Sequence, residues 1–336
     1  MVDPIKQKSI EQLVDWNAFE AKLAQRELGG KAKVINRAEL IAGITDLVHG
    51  QDAAVELLAK AICNGYAKER RTRPVATFLL VGPPGVGKTE VAKAISKVIF
   101  GSENDLLKID CSEYKNAEEA IHKLIGMGAG YKNAEQGGAL TRPMIAKPER
   151  VVLFDEIEKG SRAMLDIFLS MLNDGYVTEA GSNKKADFTR AVVIITSNIE
   201  HDKCSSIHET VTDHEERCVA FKALFEGHGF RPEILDRIPD VVYFAPLPPR
   251  VMGRIIAGKM RTLCSEYNIV LNRVDADAVL HLLQQITRNS GVRAMVAAME
   301  RRLGDSLAEA KQNRITGVDI VVDLDNHSIH AVASQA

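Results

Sequence analysis

Within one short stretch, Gly82-Pro83-Pro84-Gly85-Val86-Gly87-Lys88-Thr89, the chain places three glycines, a lysine and a hydroxyl. Glycines at this spacing let the backbone curl and point its N–H groups inward, toward phosphate oxygens. Pro84, Gly85, Val86 and Gly87 would form the cradle, Lys88 would reach the outer phosphates, and the Thr89 hydroxyl would hold Mg²⁺. A second pair with chemistry is Asp155-Glu156, directly after the apolar run Val151-Val152-Leu153-Phe154. Asp155 would hold Mg²⁺ through a water, and Glu156 would polarise the attacking water. Two acids opening a solvated loop are the plain alternative. After a phosphate loop, nucleoside triphosphate hydrolysis is the favoured reading.

These residues need elements that hold them. Thr77–Val81 is a short apolar run with strand propensity, and Glu90–Phe100 carries Val91, Ala94, Ile95 and Val98 at helical spacing. Strand, glycine loop and helix together put phosphate oxygens at a helix N-terminus. Val151–Phe154 is apolar throughout, as in a parallel strand buried on both faces. Acids at its carboxyl end lie where open α/β sheets bind ligands. Leu106–Ile109, Ala191–Thr196 and Val241–Phe244 read as further strands alternating with helices, which predicts an α/β parallel sheet between helical layers. Pro246-Leu247-Pro248-Pro249 breaks the pattern. Beyond it, Val251–Tyr267, Ala276–Thr287 and Ala294–Lys311 read as helices. Ile320–Leu324 and Ser328–Val332 read as a hairpin around Asp325-Asn326-His327. Ahead of the sheet, Ser9-Ile10-Glu11-Gln12 and Asn36-Arg37-Ala38-Glu39 are candidate capping boxes. The expected organisation is a helical extension over 1–45, a large α/β domain over 46–245 and a small, mostly helical domain over 246–336. Trp16 and Phe19 could form a docking face, but packing against the body is preferred.

Composition narrows the class. A hydrophobic share of 46% suits a soluble globular chain, and the net charge of −2 gives no electrostatic support for nucleic-acid binding. The basic cluster Lys68–Arg73 reads as a solvated or subunit-facing edge in preference to a DNA patch. The N-terminus lacks an apolar secretory core, and no apolar run approaches membrane-spanning length. Cys63, Cys111, Cys204, Cys218 and Cys264 are odd in number and scattered, so the expectation is a reducing cytoplasm without a disulfide framework.

From about Leu47 to Val322 the chain resembles the AAA+ unfoldases of the Clp family, most closely their second ATPase ring. The resemblance rests on motifs in the family's order: Val48-His49-Gly50-Gln51-Asp52, the phosphate loop, Asp110–Tyr114, Gly130-Tyr131 with Gly137–Thr141, Asp155–Lys159, Thr196-Ser197-Asn198, Phe230–Arg237 and Ser290–Arg293. It implies a P-loop AAA+ sandwich with a helical lid, and ATP with Mg²⁺ as cofactors. Asn198 would be the polar sensor of the γ-phosphate. Arg237 would be the finger that enters a neighbouring subunit's site, with Arg231 the less favoured candidate; an arginine suits this task because it is always charged and bidentate. Arg293 would be the second sensor in the lid. Val48 and His49 would border the adenine, although for His49 the start of a capped helix is an equal alternative.

The same resemblance makes Tyr131 a pore residue that grips an extended polypeptide with its ring. An ordinary loop tyrosine is the alternative. Here the chain departs from the family: Lys132-Asn133 replaces the usual Val-Gly, which puts generic unfolding power in doubt. A single ATPase module also favours one dedicated partner over general disaggregation. Ile199–Gly229 lacks the Ile-Gly-Phe or Ile-Gly-Leu loop of protease-coupled members, so a peptidase partner is not expected. His201, Cys204, His208, His214 and Cys218 in that segment could supply zinc ligands, but the spacing matches no strong signature, and a polar surface loop is preferred. The resulting expectation is an ATP-driven, ring-forming protein remodeller of the cytoplasm, a homo-oligomer and by resemblance a hexamer. The rivals are an AAA+ nucleic-acid motor or loader, and a scaffold that uses ATP only to assemble.

Overall fold

The computed structural model describes residues 35–128, 130, 131, 134–284, 291–323 and 328–334. Most of the expected N-terminal extension, including Trp16 and Phe19, therefore lies outside the described residues, as do Lys132, Asn133 and the hairpin turn at 325–327.

Helix α1 (Arg37–Thr45) begins where Asn36 accepts hydrogen bonds from the N–H groups of Ala38 and Glu39. Glu39 accepts from the Asn36 side-chain amide, not from its backbone N–H, so the cap is one-sided and not the full expected box. Helix α2 (Asp52–Tyr66) leads to strand β1 (Ala76–Val81), buried at every position. Helix α3 (Lys88–Phe100) starts and stops on left-handed glycines, Gly87 and Gly101. Strand β2 (Leu106–Asp110), helix α4 (Ala117–Ile125), helix α5 (Thr141–Ala146) and strand β3 (Val151–Asp155) follow. Helix α6 (Arg162–Asn173) comes next, then the small antiparallel pair β4 (Tyr176–Thr178) and β5 (Lys185–Asp187), then β6 (Val192–Ser197).

Between β6 and the last strand of the main sheet, β7 (Asp240–Tyr243), the chain forms helices α7 (His201–Thr210), α8 (His214–Gly227) and the single turn α9 (Pro232–Leu235). The sheet is parallel, in the order β2-β3-β6-β1-β7. Its side chains alternate between two cores, as a period of two residues requires. Leu79, Val81, Phe154 and Ile195 face one layer with Phe168 of α6 and Phe221 of α8. Phe78, Leu80, Leu153 and Ile194 face the other, with Leu58 of α2 and Ile95 of α3. Both faces being covered explains why these strands read as unbroken apolar runs.

A third core joins α10 (Pro249–Glu266), α11 (Ala276–Gln284) and α12 (Gly291–Gln312) to β8 (Val270–Val274), β9 (Gly317–Asp323) and β10 (Ser328–Ala333). The expected hairpin is the β9–β10 pair. It is extended by β8, parallel to β9, into a three-stranded sheet. Sequence reading misses β8 because Asn272 and Arg273 interrupt its apolar residues.

Candidate active site

The glycine loop runs from β1 into α3, and its backbone uses conformations that side chains oppose. Gly82 has φ 138°, and a Cβ there would meet the Phe244 carbonyl oxygen at 2.3 Å. Gly87, at φ 105°, is the residue from which α3 springs. Lys88 is only 6% exposed. Its ammonium donates to the carbonyls of Gly82 and Pro83, at 2.6 and 2.8 Å, and to Asn198 Oδ1 at 2.8 Å. Burial pushes this lysine down to about 8, against the opposing pull of Glu158, Asp155 and Glu156.

Asp155 ends β3, with its side chain 8% exposed. Thr89 Oγ1 lies 3.3 Å from both its oxygens. Thr196 Oγ1 donates to Oδ1 at 2.6 Å, and Lys108 of β2 pairs with Oδ2 at 2.8 Å. Burial works against the carboxylate, but the bonds from Lys108, Thr196 and Thr89 outweigh it and hold Asp155 below its ordinary range. Glu156 follows in the left-handed region, φ 56° and ψ 57°, and its N–H donates to the same Thr196 hydroxyl at 3.0 Å. One buried threonine therefore orients both acids. Glu156 Oε1 accepts from Asn198 Nδ2 at 3.2 Å, and Oε2 pairs with Lys159 at 2.6 Å. Asn198 thus bridges Lys88 and Glu156. Its own N–H is held by Glu158 Oε1 at 3.1 Å. The other Glu158 oxygen is buried with no hydrogen-bond partner among the described residues.

These groups open onto a cavity of about 390 Å³ at the carboxyl edge of the sheet. Pro84, Gly85, Val86 and Gly87 line it with Lys88, Thr89, Asp155, Glu156 and Asn198. Val48 and His49 border it as well, joined by Leu247 from the proline break and by Ile255 and Val296 from beyond it. His49 does not cap the start of α2. The residue preceding α2 is Gln51, and His49 Nδ1 lies 3.1 Å from the Thr45 carbonyl. Gln51 instead ties the glycine loop to the segment after β7, donating to the carbonyls of Val86 and Ala245 at 3.1 and 2.9 Å.

Sequence reasoning assigned no role to Thr196, Lys108, Glu158, Gln51 or Lys259, which lines the cavity from α10. Thr196 and Gln51 stood inside motifs. Lys108 gave no signal, because only strand register brings it to Asp155.

Arg237 does not line its own chain's cavity and has no side-chain partner among the described residues. Arg231 is engaged, in an ion pair with Asp166 of α6. Arg293 falls in the first turn of α12, and its side chain lies outside what is described. Tyr131 stands apart from the cavity with its side chain 68% exposed.

The expected polar loop at Ile199–Gly229 is corrected to the helices α7 and α8. Asp213 caps α8 by accepting from the Glu216 N–H, and Cys204 and Cys218 are buried core residues of these helices. The His208 ring lies against Tyr243, tilted by 34° with ring centroids 4.6 Å apart. Among the described residues no group of three or more His, Cys, Asp or Glu could hold a metal ion.

Residues 73–241 match the AAA domain family of the Cdc48 subfamily. The chain is also 32% identical to the chaperone protein ClpB of Bacillus cereus, over 97% of its own length and 38% of that relative's. Against ClpB of Wolinella succinogenes identity is 39%, over 72% of this chain and 27% of the relative. Against ClpB of Clostridium tetani it is 38%, over 62% and 24%. The chain belongs to the Clp family of AAA+ ATPases. It spans at most 38% of the length of these curated relatives.

Membership in the Clp family implies nucleotide binding, and the site fits it. The close approach at Gly82 leaves room only for a glycine backbone. The buried cation Lys88 faces a cavity of ligand size. Thr89 and Asp155 offer a hydroxyl and a carboxylate, the oxygen donors a hard cation such as Mg²⁺ takes. No described helix is long and apolar enough to cross a membrane.

Proposed function

We propose that this chain hydrolyses ATP within a ring of its own copies, by resemblance a hexamer, and spends the strokes pulling on a polypeptide, most simply one dedicated partner. The convergence of Lys88, Thr89, Asp155, Glu156 and Asn198 on one cavity carries this reading. ATP with Mg²⁺ supplies the phosphoryl group whose transfer to water releases the energy.

Lys88 would turn from the loop carbonyls to the outer phosphates, helped by a desolvated charge that gains from an anionic partner. Thr89 and Asp155 would hold the metal. Glu156 would accept a proton from the attacking water, which requires release of at least one of its bonds to Lys159 and Asn198. Asn198 would orient that water. Arg237, without a side-chain partner among the described residues and outside its own cavity, would reach a neighbouring subunit's nucleotide. Val48 and His49 would border the base, and Arg293 would close the lid.

Tyr131 would meet the polypeptide, since an exposed planar ring grips without reading sequence. Folded partners resist with about 5–15 kcal/mol, so repeated strokes are required. A peptidase partner is not proposed: Ile199–Gly229 carries neither docking tripeptide.

The test combines two measurements on the full chain. Light scattering on Glu156→Gln with ATP should give a mass several times that of one chain; a monomer at every protein concentration sinks the ring. A photoreactive residue at position 131 should then cross-link polypeptide in an ATP-dependent way. Cross-links to nucleic acid would favour the motor or loader reading, and no cross-links the scaffold.

A further inference from the structure

Asp155 is the metal-binding candidate, yet both its oxygens are already occupied by donors from the chain. Oδ1 takes the Thr196 hydroxyl at 2.6 Å, and Oδ2 takes the Lys108 ammonium at 2.8 Å. Lys108 is a residue of β2, and the β2–β3 register sets Asp110 opposite Asp155. Lys108 thus stands two residues upstream on the same face as Asp110, and its chain runs along the strand to the carboxyl edge. Its side chain is 40% exposed, so it can swing into solvent, whereas Asp155 is 8% exposed and cannot leave. A carboxylate this buried needs a cation close by. Mg²⁺ at the same carboxylate would supply two positive charges and repel the ammonium. The displaced ammonium has a second carboxylate on its own strand: Asp110, whose Oδ1 accepts the Ser112 N–H at 3.0 Å.

We propose that Lys108 is the resident counter-ion of the nucleotide-free site, holding the metal's place at Asp155 and moving off as the metal arrives. This rests on the nucleotide-site reading above. Free Mg²⁺ then has little drive to bind alone, because Asp155 is already neutralised. The metal enters with the phosphates, whose added negative charge tips the exchange. Lys108 is a positioning residue, acting on the nucleotide only through Asp155.

The test is a thermodynamic cycle read by fluorescence of mant-ADP, which is not hydrolysed. The dissociation constant is measured in MgCl₂ and in EDTA, and the ratio gives the gain due to metal. In wild type, part of that gain is spent removing Lys108. Lys108→Met should therefore enlarge the gain by about two- to fivefold, the range of a partly exposed ion pair. Lys108→Arg, which keeps the pair, should stay near wild type. In the background of Asp155→Asn, Lys108→Met should leave the gain unchanged. An unchanged or smaller gain in Lys108→Met overturns the proposal. So does an altered gain in the Asp155→Asn background, which would mean that Lys108 contacts nucleotide directly. If wild type binds no mant-ADP in either buffer, the nucleotide-site reading fails and takes this inference with it.

Discussion

The carboxyl edge of the main sheet and the loop that carries Tyr131 stand in contrast. At the edge, Lys88, Asp155, Glu156 and Asn198 are cross-linked through hydrogen bonds of 2.6 to 3.3 Å, with Thr196 and Glu158 bracing them from behind. At the loop, Tyr131 is 68% exposed, and its N–H reaches the Gly128 carbonyl at 3.3 Å. Phosphoryl transfer needs groups fixed before the reaction, because their reorganisation would add to the barrier. Gripping a chain of no fixed sequence needs an accessible ring. The contrast predicts that damage at the edge removes turnover, whereas damage at the loop uncouples it from work.

Arg237→Ala should have the largest effect. Arginine fingers contribute roughly 10³–10⁵ in rate. Turnover should fall on that scale while mant-ADP still binds. Mixing Arg237→Ala with Lys88→Ala subunits should restore part of the activity, since some interfaces then pair two intact halves. Proven co-assembly with no recovery would count against a finger acting between subunits, and would confine the chemistry to one chain's edge.

Glu156→Gln removes the proton acceptor but keeps the shape. Steady-state ATPase should drop by about 10²–10⁴, the usual contribution of a general base, with nucleotide affinity retained. Near-normal hydrolysis would shift the base elsewhere on the edge, with Glu158 the first candidate.

Lys88 gives a pH dependence. Its folded value, about 8, lies below the ordinary 10.5. Between these values the unfolded chain binds more protons, so this group makes the nucleotide-free fold more stable as pH rises through the window. Phosphate binding selects the charged ammonium, so mant-ADP affinity should be flat below about pH 8 and then fall, approaching tenfold per pH unit. A flat profile across roughly pH 7 to 9.5 would show that Lys88 does not change charge there.

Tyr131→Ala should affect the ATPase least, within about a few-fold, because the loop lies off the catalytic groups. ATP-dependent movement of a bound polypeptide should nevertheless fall sharply, and Tyr131→Phe should retain it, since the contact uses the ring face. Unimpaired remodelling by Tyr131→Ala would end the contrast between edge and loop.

Much of this architecture was legible in the linear chain. β1, β3 and β6 lie at the sheet centre, covered on both sides, so they are mostly apolar up to their carboxyl ends, which are polar in β3 and β6, and were read within one residue of their ends. β4 and β5 escaped notice because three residues each, half of them polar, carry no period. Helix α7 escaped for another reason. His201–Thr210 fully buries only Cys204, with Ile207 partly buried one turn on, so its apolar face is narrow and the segment read as a polar loop.

The amino-acid sequence by itself determined the phosphate cradle, the acidic pair and the strand–loop–helix unit that presents them, because these depend on neighbours along the chain: glycines that permit positive φ, and acids that end a buried strand. Only the tertiary structure decided which distant groups brace them. Thr196 serves two acids, Gln51 joins the glycine loop to the segment after β7, and Lys108 sits on the Asp155 carboxylate. Each depends on strand order and register. Moving β2 by one residue against β3 would turn Lys108 to the opposite face, and nothing in its immediate sequence records that choice.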